Sequence, residues 1–274
     1  MENNQFKILG TPQNRKSKID SGLAEKLNEY YSKPENQKKT NKRQQIPAQT
    51  QSPISSSQDY WTISGVNYRN KVYEINLLKS LLDNSYSKTQ EQWAEYTEQA
   101  KQKGEFYTGD MPLYHAVFAS LFNQREDTKS KEDIEEARAF IQKSMRENYP
   151  MTLTRIAYQP IGDDKVIHNF GTNDKYELSE AIVGPDRAIV KEDEKALIAL
   201  LGTGDIGQIK SVYNWINGTD NWIWRVNSKP ENVDERVARF IAGSVRALLL
   251  CYGGPDDRLA SLGVRIVREA PRRP

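Results

Sequence analysis

The sequence predicts an α+β protein in four parts: a disordered basic arm over residues 1–57, a helical subdomain over 58–149, a mixed α/β domain with a mainly antiparallel sheet over 150–268, and a tail over 269–274. Three observations carry this reading. The first 57 residues hold ten Lys/Arg against five Asp/Glu and few aliphatic side chains, while the remainder holds 29 against 32. Apolar residues then recur every three to four positions as far as Met145, and from Met151 onward the period shortens to two. A mean hydropathy of −0.78, low for a chain with 37% hydrophobic residues, fits an unfolded arm attached to a body able to form a core.

The segment from Lys33 to Ser57 contains almost no aliphatic residue except Ile46 and Ile54, too little apolar surface to offset the entropy of ordering. Leu23, Leu27 and Tyr30 or Tyr31 are the exception, at the spacing of a short helix. Order is expected to begin at Tyr60-Trp61, an aromatic pair that docks on the body. Val72, Ile75, Leu78 and Leu82 read as the apolar face of a first helix. Ser87 and Gln90 form a capping-box pattern for a second, running through Trp93, Tyr96 and Ala100 to Gly104. Asp110 with Pro112 opens a third, and Tyr114, Val117, Phe118, Leu121 and Phe122 give it a dense apolar face. The fourth follows Ser130, with Ile134, Ala137, Ile141 and Met145 inward.

Pro150 ends the helical run. Residues 151–158 alternate and are rich in β-branched and aromatic side chains, and Gly162-Asp163-Asp164 turns them into a second strand at 165–170. Further strands are expected at 176–183, briefly at Ile189-Val190, at 222–226, at 247–252 and at 263–267; residues 233–241 suit either helix or strand. Trp222, Trp224, Leu248, Leu250 and Val264 are expected in the core.

Gly202, Gly204 and Gly207 satisfy G-x-G-x-x-G, the loop that lets a backbone approach a dinucleotide's pyrophosphate at a helix N-terminus. That reading requires a strand before Gly202. Residues 191–195 look like a helix opening, 196–201 are Ala/Leu-rich, and the next strand ends without a carboxylate for a ribose. The glycines are therefore read as loop residues, with Asp205 capping the following helix, and a nucleotide enzyme is kept as the alternative.

Near the end, Arg246 lies on a strand, Pro255, Asp256 and Arg258 lie in a loop, and Gly263, Val264 and Arg265 open a closing strand. This segment resembles the C-terminal end of formylglycine-generating-enzyme-like and C-type-lectin-like domains, with valine where that family usually has an aromatic residue. The resemblance implies a twisted mixed sheet with helices and a loop-rich binding surface. It does not imply the enzyme activity, which in that family rests on pocket cysteines; Cys251, the single cysteine here, sits in an apolar run and reads as a buried structural thiol.

Other chemistry is sparse. His168, near a strand end, is better placed for catalysis than His115, which lies beside the third helix's apolar face, but no nucleophile motif accompanies it. Arg225, Arg246, Asp256, Arg258 and Arg265 are the expected ligand-binding residues; the competing reading pairs the C-terminal arginines with Asp234, Glu235, Asp256, Asp257 and Glu269. One cysteine excludes an internal disulfide, two histidines argue against a zinc site, and no cofactor is expected. The expected function is non-enzymatic binding of a protein or nucleic-acid partner, with the arm attracting a polyanion. Apolar runs stay well short of the roughly 18 residues of a membrane span, no signal-peptide layout opens the chain, and a cytoplasmic setting is expected.

Overall fold

Residues 54–270 are described by a computed structural model. The arm to residue 53, with the helical spacing at Leu23, Leu27 and Tyr30, and residues 271–274 of the tail lie outside the described residues. The chain opens with strands β1 (Ile54–Ser56), β2 (Tyr60–Tyr68) and β3 (Lys71–Leu81), then helices α1 (Gln90–Lys103), α2 (Met111–Asn123) and α3 (Lys131–Glu147). Strands β4 (Thr154–Tyr158), β5 (Asp164–His168), β6 (Tyr176–Glu180) and β7 (Arg187–Ala188) follow, then α4 (Glu194–Leu201) and α5 (Ile206–Asn217). The chain closes with β8 (Asp220–Trp224), β9 (Asp234–Ala242), β10 (Arg246–Gly253) and β11 (Leu262–Glu269). A four-stranded sheet has the order β1-β2-β3-β11, and a seven-stranded sheet has the order β6-β5-β4-β9-β10-β8-β7. All pairings are antiparallel except β10 with β8. The α+β class and the mainly antiparallel sheet are thus as the sequence predicts.

Two assignments at the start of the chain change. Residues 54–56, placed in the arm by composition, are β1, and its Ile54 side chain is buried in the core. The expected first helix is strand β3, which pairs with β2 on one side and β11 on the other. Ile75 and Leu77 face the core, while Val72 is exposed, so the three-to-four spacing of Val72, Ile75, Leu78 and Leu82 combines residues from both faces of a strand. Two open strand edges supply hydrogen-bond partners that no local pattern reveals, and they override the apparent helical period.

The other three helices are present. Thr89, not Ser87, caps α1: its hydroxyl accepts from Gln92 N at 3.3 Å and its own N–H donates to Gln92 Oε1 at 3.1 Å. Asp110 caps α2 through Leu113 N at 2.9 Å. This helix is buried nearly all round, with Met111, Tyr114, Val117, Phe118 and Leu121 inaccessible, as expected of a helix apolar on every side. Phe118 sits 5.5 Å from Phe240 of β9 and 6.4 Å from Tyr213 of α5, centroid to centroid, and joins the helix to the larger sheet. On α3 the residues Ile134, Ala137, Ile141 and Met145 are buried, as their spacing predicts.

In the C-terminal half, 233–241 resolves as strand β9. Leu250 and Val264 are buried as expected, but Trp222, Trp224 and Leu248 are only half-buried; the buried face of β8 and β10 carries Ile223, Leu249 and Cys251. Trp224 stacks with Tyr252, and Arg246 lies over Trp222 at 4.7 Å, so these tryptophans form a partly open outer face. Bulky groups on both faces of a strand do not imply that both faces are covered.

The strand assignment of β3 makes a direct prediction. Ile75→Ala should cost about 2–5 kcal/mol in urea unfolding, whereas Val72→Ala should cost under about 1 kcal/mol. Equal losses at the two positions would instead fit a shared helical face.

Candidate functional site

The β2–β3 hairpin turns on Arg69 and Asn70, at φ 51° and 60°, the left-handed pair of a two-residue hairpin turn. Asparagine tolerates this region; arginine there costs about 1–2 kcal/mol. Strained backbone of this kind persists where surrounding structure holds it and tends to gather at functional sites. Beside the turn lies a cavity of about 550 Å3. Its wall is built from the hairpin (Tyr68, Arg69, Lys71, Tyr73), the end of α1 and the residues after it (Lys101, Gly104, Glu105, Tyr107), Leu113 of α2, the loop after β5 (Asn169, Asp174), and Arg265 and Ile266 of β11. Gly104, at φ 69°, ends α1 in the left-handed conformation that glycine favours and turns the chain into this wall.

A buried polar network lies behind it. The Tyr68 hydroxyl donates to Asp110 Oδ2 at 2.9 Å and accepts from Asn169 Nδ2 at 3.3 Å. Burial, reinforced by the Asp110 charge, raises the Tyr68 phenol well above its ordinary value, so it keeps its proton and serves as a donor. Asn169 is itself left-handed, at φ 49°. Next to it His168 is fully engaged: Nε2 donates to the Ala199 carbonyl at 2.8 Å, which makes Nδ1 the acceptor for the Thr154 hydroxyl at 3.0 Å. Burial lowers the His168 pKa and keeps it neutral. With both nitrogens occupied in the interior, His168 is a structural residue rather than a base facing the cavity. His115 is likewise buried, with Nδ1 3.0 Å from the Tyr213 hydroxyl, and burial pushes its pKa down to about 4.

The cavity's charges differ in how they are matched. Lys101 bonds Asp174 at 2.9 Å and holds that carboxyl below its usual range, and Lys71 pairs with Glu269 at 2.8 Å. Arg69 rests on the Tyr176 ring at 4.5 Å and has no ion pair among the described residues. Arg265 lies 4.7 Å from the Phe106 centroid and donates to Gly104 O at 3.3 Å, again with no ion pair among the described residues. A guanidinium fixed on a ring keeps its N–H edge available for a carboxylate or phosphate.

Of the five expected ligand-binding residues, only Arg265 lines this cavity. Arg225 is buried and paired with Asp193 at 2.6 Å, lying so close to Gly184 that a Cβ there would stand 2.8 Å from the guanidinium. Arg246 covers the tryptophans of β8. Asp256 is exposed in the loop after β10; its neighbour Asp257 does the bonding, to Gly254 N at 3.0 Å and to Arg239. Arg258 borders a separate surface cleft with Tyr86, Lys88 and Tyr96. Sequence reasoning missed Tyr68, Arg69, Lys101, Glu105 and Asn169. The Arg-Asn pair between two alternating segments was the available signal, obscured by reading 72–82 as helix.

The glycine motif lies at the junction of two helices. Residues 196–201 belong to α4, Gly202 is its left-handed C-cap at φ 75°, Gly204 packs on Ile198, and Gly207 lies in α5 after the Asp205 cap. The stretch is a helix–turn–helix, without the strand that a dinucleotide loop follows. Burial raises the Cys251 thiol to about 12, so it carries no thiolate chemistry. Among the described residues no three His, Cys, Asp or Glu side chains group to hold a metal, and no helix is long and apolar enough to cross a membrane.

Comparison with protein-family models, curated proteins and solved structures gives no match.

Both histidines fold with lowered pKa values, so the unfolded chain takes up protons first as pH falls below about 6.5. Their contribution is present above that pH and is lost on acidification, for His115 down to about 4 and amounting there to on the order of 3 kcal/mol. Urea midpoints should fall between pH 6.5 and 4.5, and His115→Gln should flatten that slope; an unchanged slope would show that His115 does not fold neutral.

Proposed function

We propose that this is a non-enzymatic binding protein whose ligand carries a negative charge, received in the cavity beside the β2–β3 turn. One observation supports this above the others: Arg69, in a backbone conformation unfavourable for arginine, lies in the wall of a 550 Å3 cavity with no ion pair among the described residues. The volume falls within the usual range of small-molecule sites, and Arg265 adds a second unmatched guanidinium. Binding is favoured over catalysis because the reactive groups nearby are restrained. The Tyr68 phenol is held protonated, and His168 faces Thr154 and Ala199. The five-charge surplus of residues 1–57 would add long-range attraction for a polyanionic partner such as nucleic acid.

Arg69→Gly separates site from scaffold. Glycine relieves the left-handed strain but forfeits the contact with Tyr176, so stability should stay within about 1 kcal/mol of the parent. Calorimetric titration with phosphate and succinate should show affinity reduced at least about tenfold, a loss of about 1.4 kcal/mol. Equal affinity in parent and variant would refute the site. A short oligonucleotide should bind more weakly with rising salt and after deletion of residues 1–53, which removes the arm's charges and leaves β1 in place.

A further inference from the structure

The cavity contains one more unmatched charge, and it has the opposite sign. Of its two carboxylates, Asp174 is held by Lys101, whereas Glu105 is exposed and has no ion pair among the described residues. Glu105 directly follows Gly104, whose carbonyl accepts from Arg265, so an unmatched acid and an unmatched base stand side by side in one wall without pairing with each other. Arg69 lines the same cavity from the hairpin turn. Lys71 and Lys101 have partners of their own, and the Arg69 charge also acts on Asp174, which leaves Arg69, Arg265 and Glu105 as the lining charges without a direct ion pair among the described residues.

A ligand that covers the cavity strips water from all three groups, and a charge buried without a partner is costly. A dianion would satisfy the arginines while desolvating Glu105 next to like charge. A diamine would satisfy Glu105 and oppose both guanidiniums. Only a ligand with both signs meets Glu105 and a guanidinium together, and charge matching of this kind sets specificity more than raw affinity. Resting on the anion-binding reading above, we propose that the cavity takes a zwitterion, an amino acid or short peptide, with its carboxylate at Arg69 and its ammonium at Glu105.

Calorimetric titration of the full chain at neutral pH with succinate, 1,5-diaminopentane, 5-aminopentanoate, glycylglycine and triglycine tests this. At least one zwitterion should bind about tenfold more tightly than succinate or the diamine. Glu105→Gln, at an exposed position, should leave the melting temperature unchanged, erase that preference and leave succinate affinity equal or improved. If succinate binds through Arg69 and no zwitterion exceeds it, or if Glu105→Gln leaves the preference intact, the zwitterion assignment is wrong while anion binding stands. If neither succinate nor phosphate nor any zwitterion binds, both fall.

Discussion

The fully buried carboxylate of Asp110 is the constraint on which both the scaffold and the cavity depend. One oxygen caps α2, and the other holds the Tyr68 hydroxyl at the end of β2. A buried charge is tolerable only with such partners, and an unpaired one would cost several kcal/mol. This pairing fixes where α2 begins relative to the smaller sheet. Because α2 is apolar on every side, its position in turn sets the packing of β2, α4, α5 and β9 around it. The cavity lies where this cap, the β2–β3 turn and the edge of β11 meet.

Arginine serves two purposes in this chain, and its surroundings distinguish them. Arg155 is buried on the ring of Phe170, bonding Gln90, Glu91 and Glu235 and tying α1 to β4 and β9. Arg225 with Asp193 and Arg239 with Asp257 fasten loops to the larger sheet in the same way. Each buried guanidinium is matched, which accounts for their presence without any ligand. Arg69 and Arg265 also rest on aromatic rings but form no ion pair among the described residues. A count of arginines in the C-terminal third could not separate these groups, because the separation depends on partners from distant segments.

What was legible in the sequence was local. The capping aspartates 110 and 205, the apolar face of α3, the turn at 162–164 and the alternation of β4 all have their physical cause within a few residues. The Ala/Leu composition of 196–201 favoured a helix without deciding against a strand. Strand β3 was not, since its hydrogen bonds go to β2 and to β11, the latter nearly two hundred residues away, and its apparent period mixed two faces.

By itself, then, the sequence determined the α+β class and most element positions, and it favoured a structural reading of Cys251 and of Gly202–Gly207, because propensity, capping and periodicity act over short distances. Only the tertiary structure decided that β11 returns to the start of the chain, and that Arg69, Glu105 and Arg265 share one cavity while Arg225 is buried against Asp193. Whether a charge is matched depends on long-range strand pairing, and so a binding site made of unmatched charges cannot be read from the residues around any one of them.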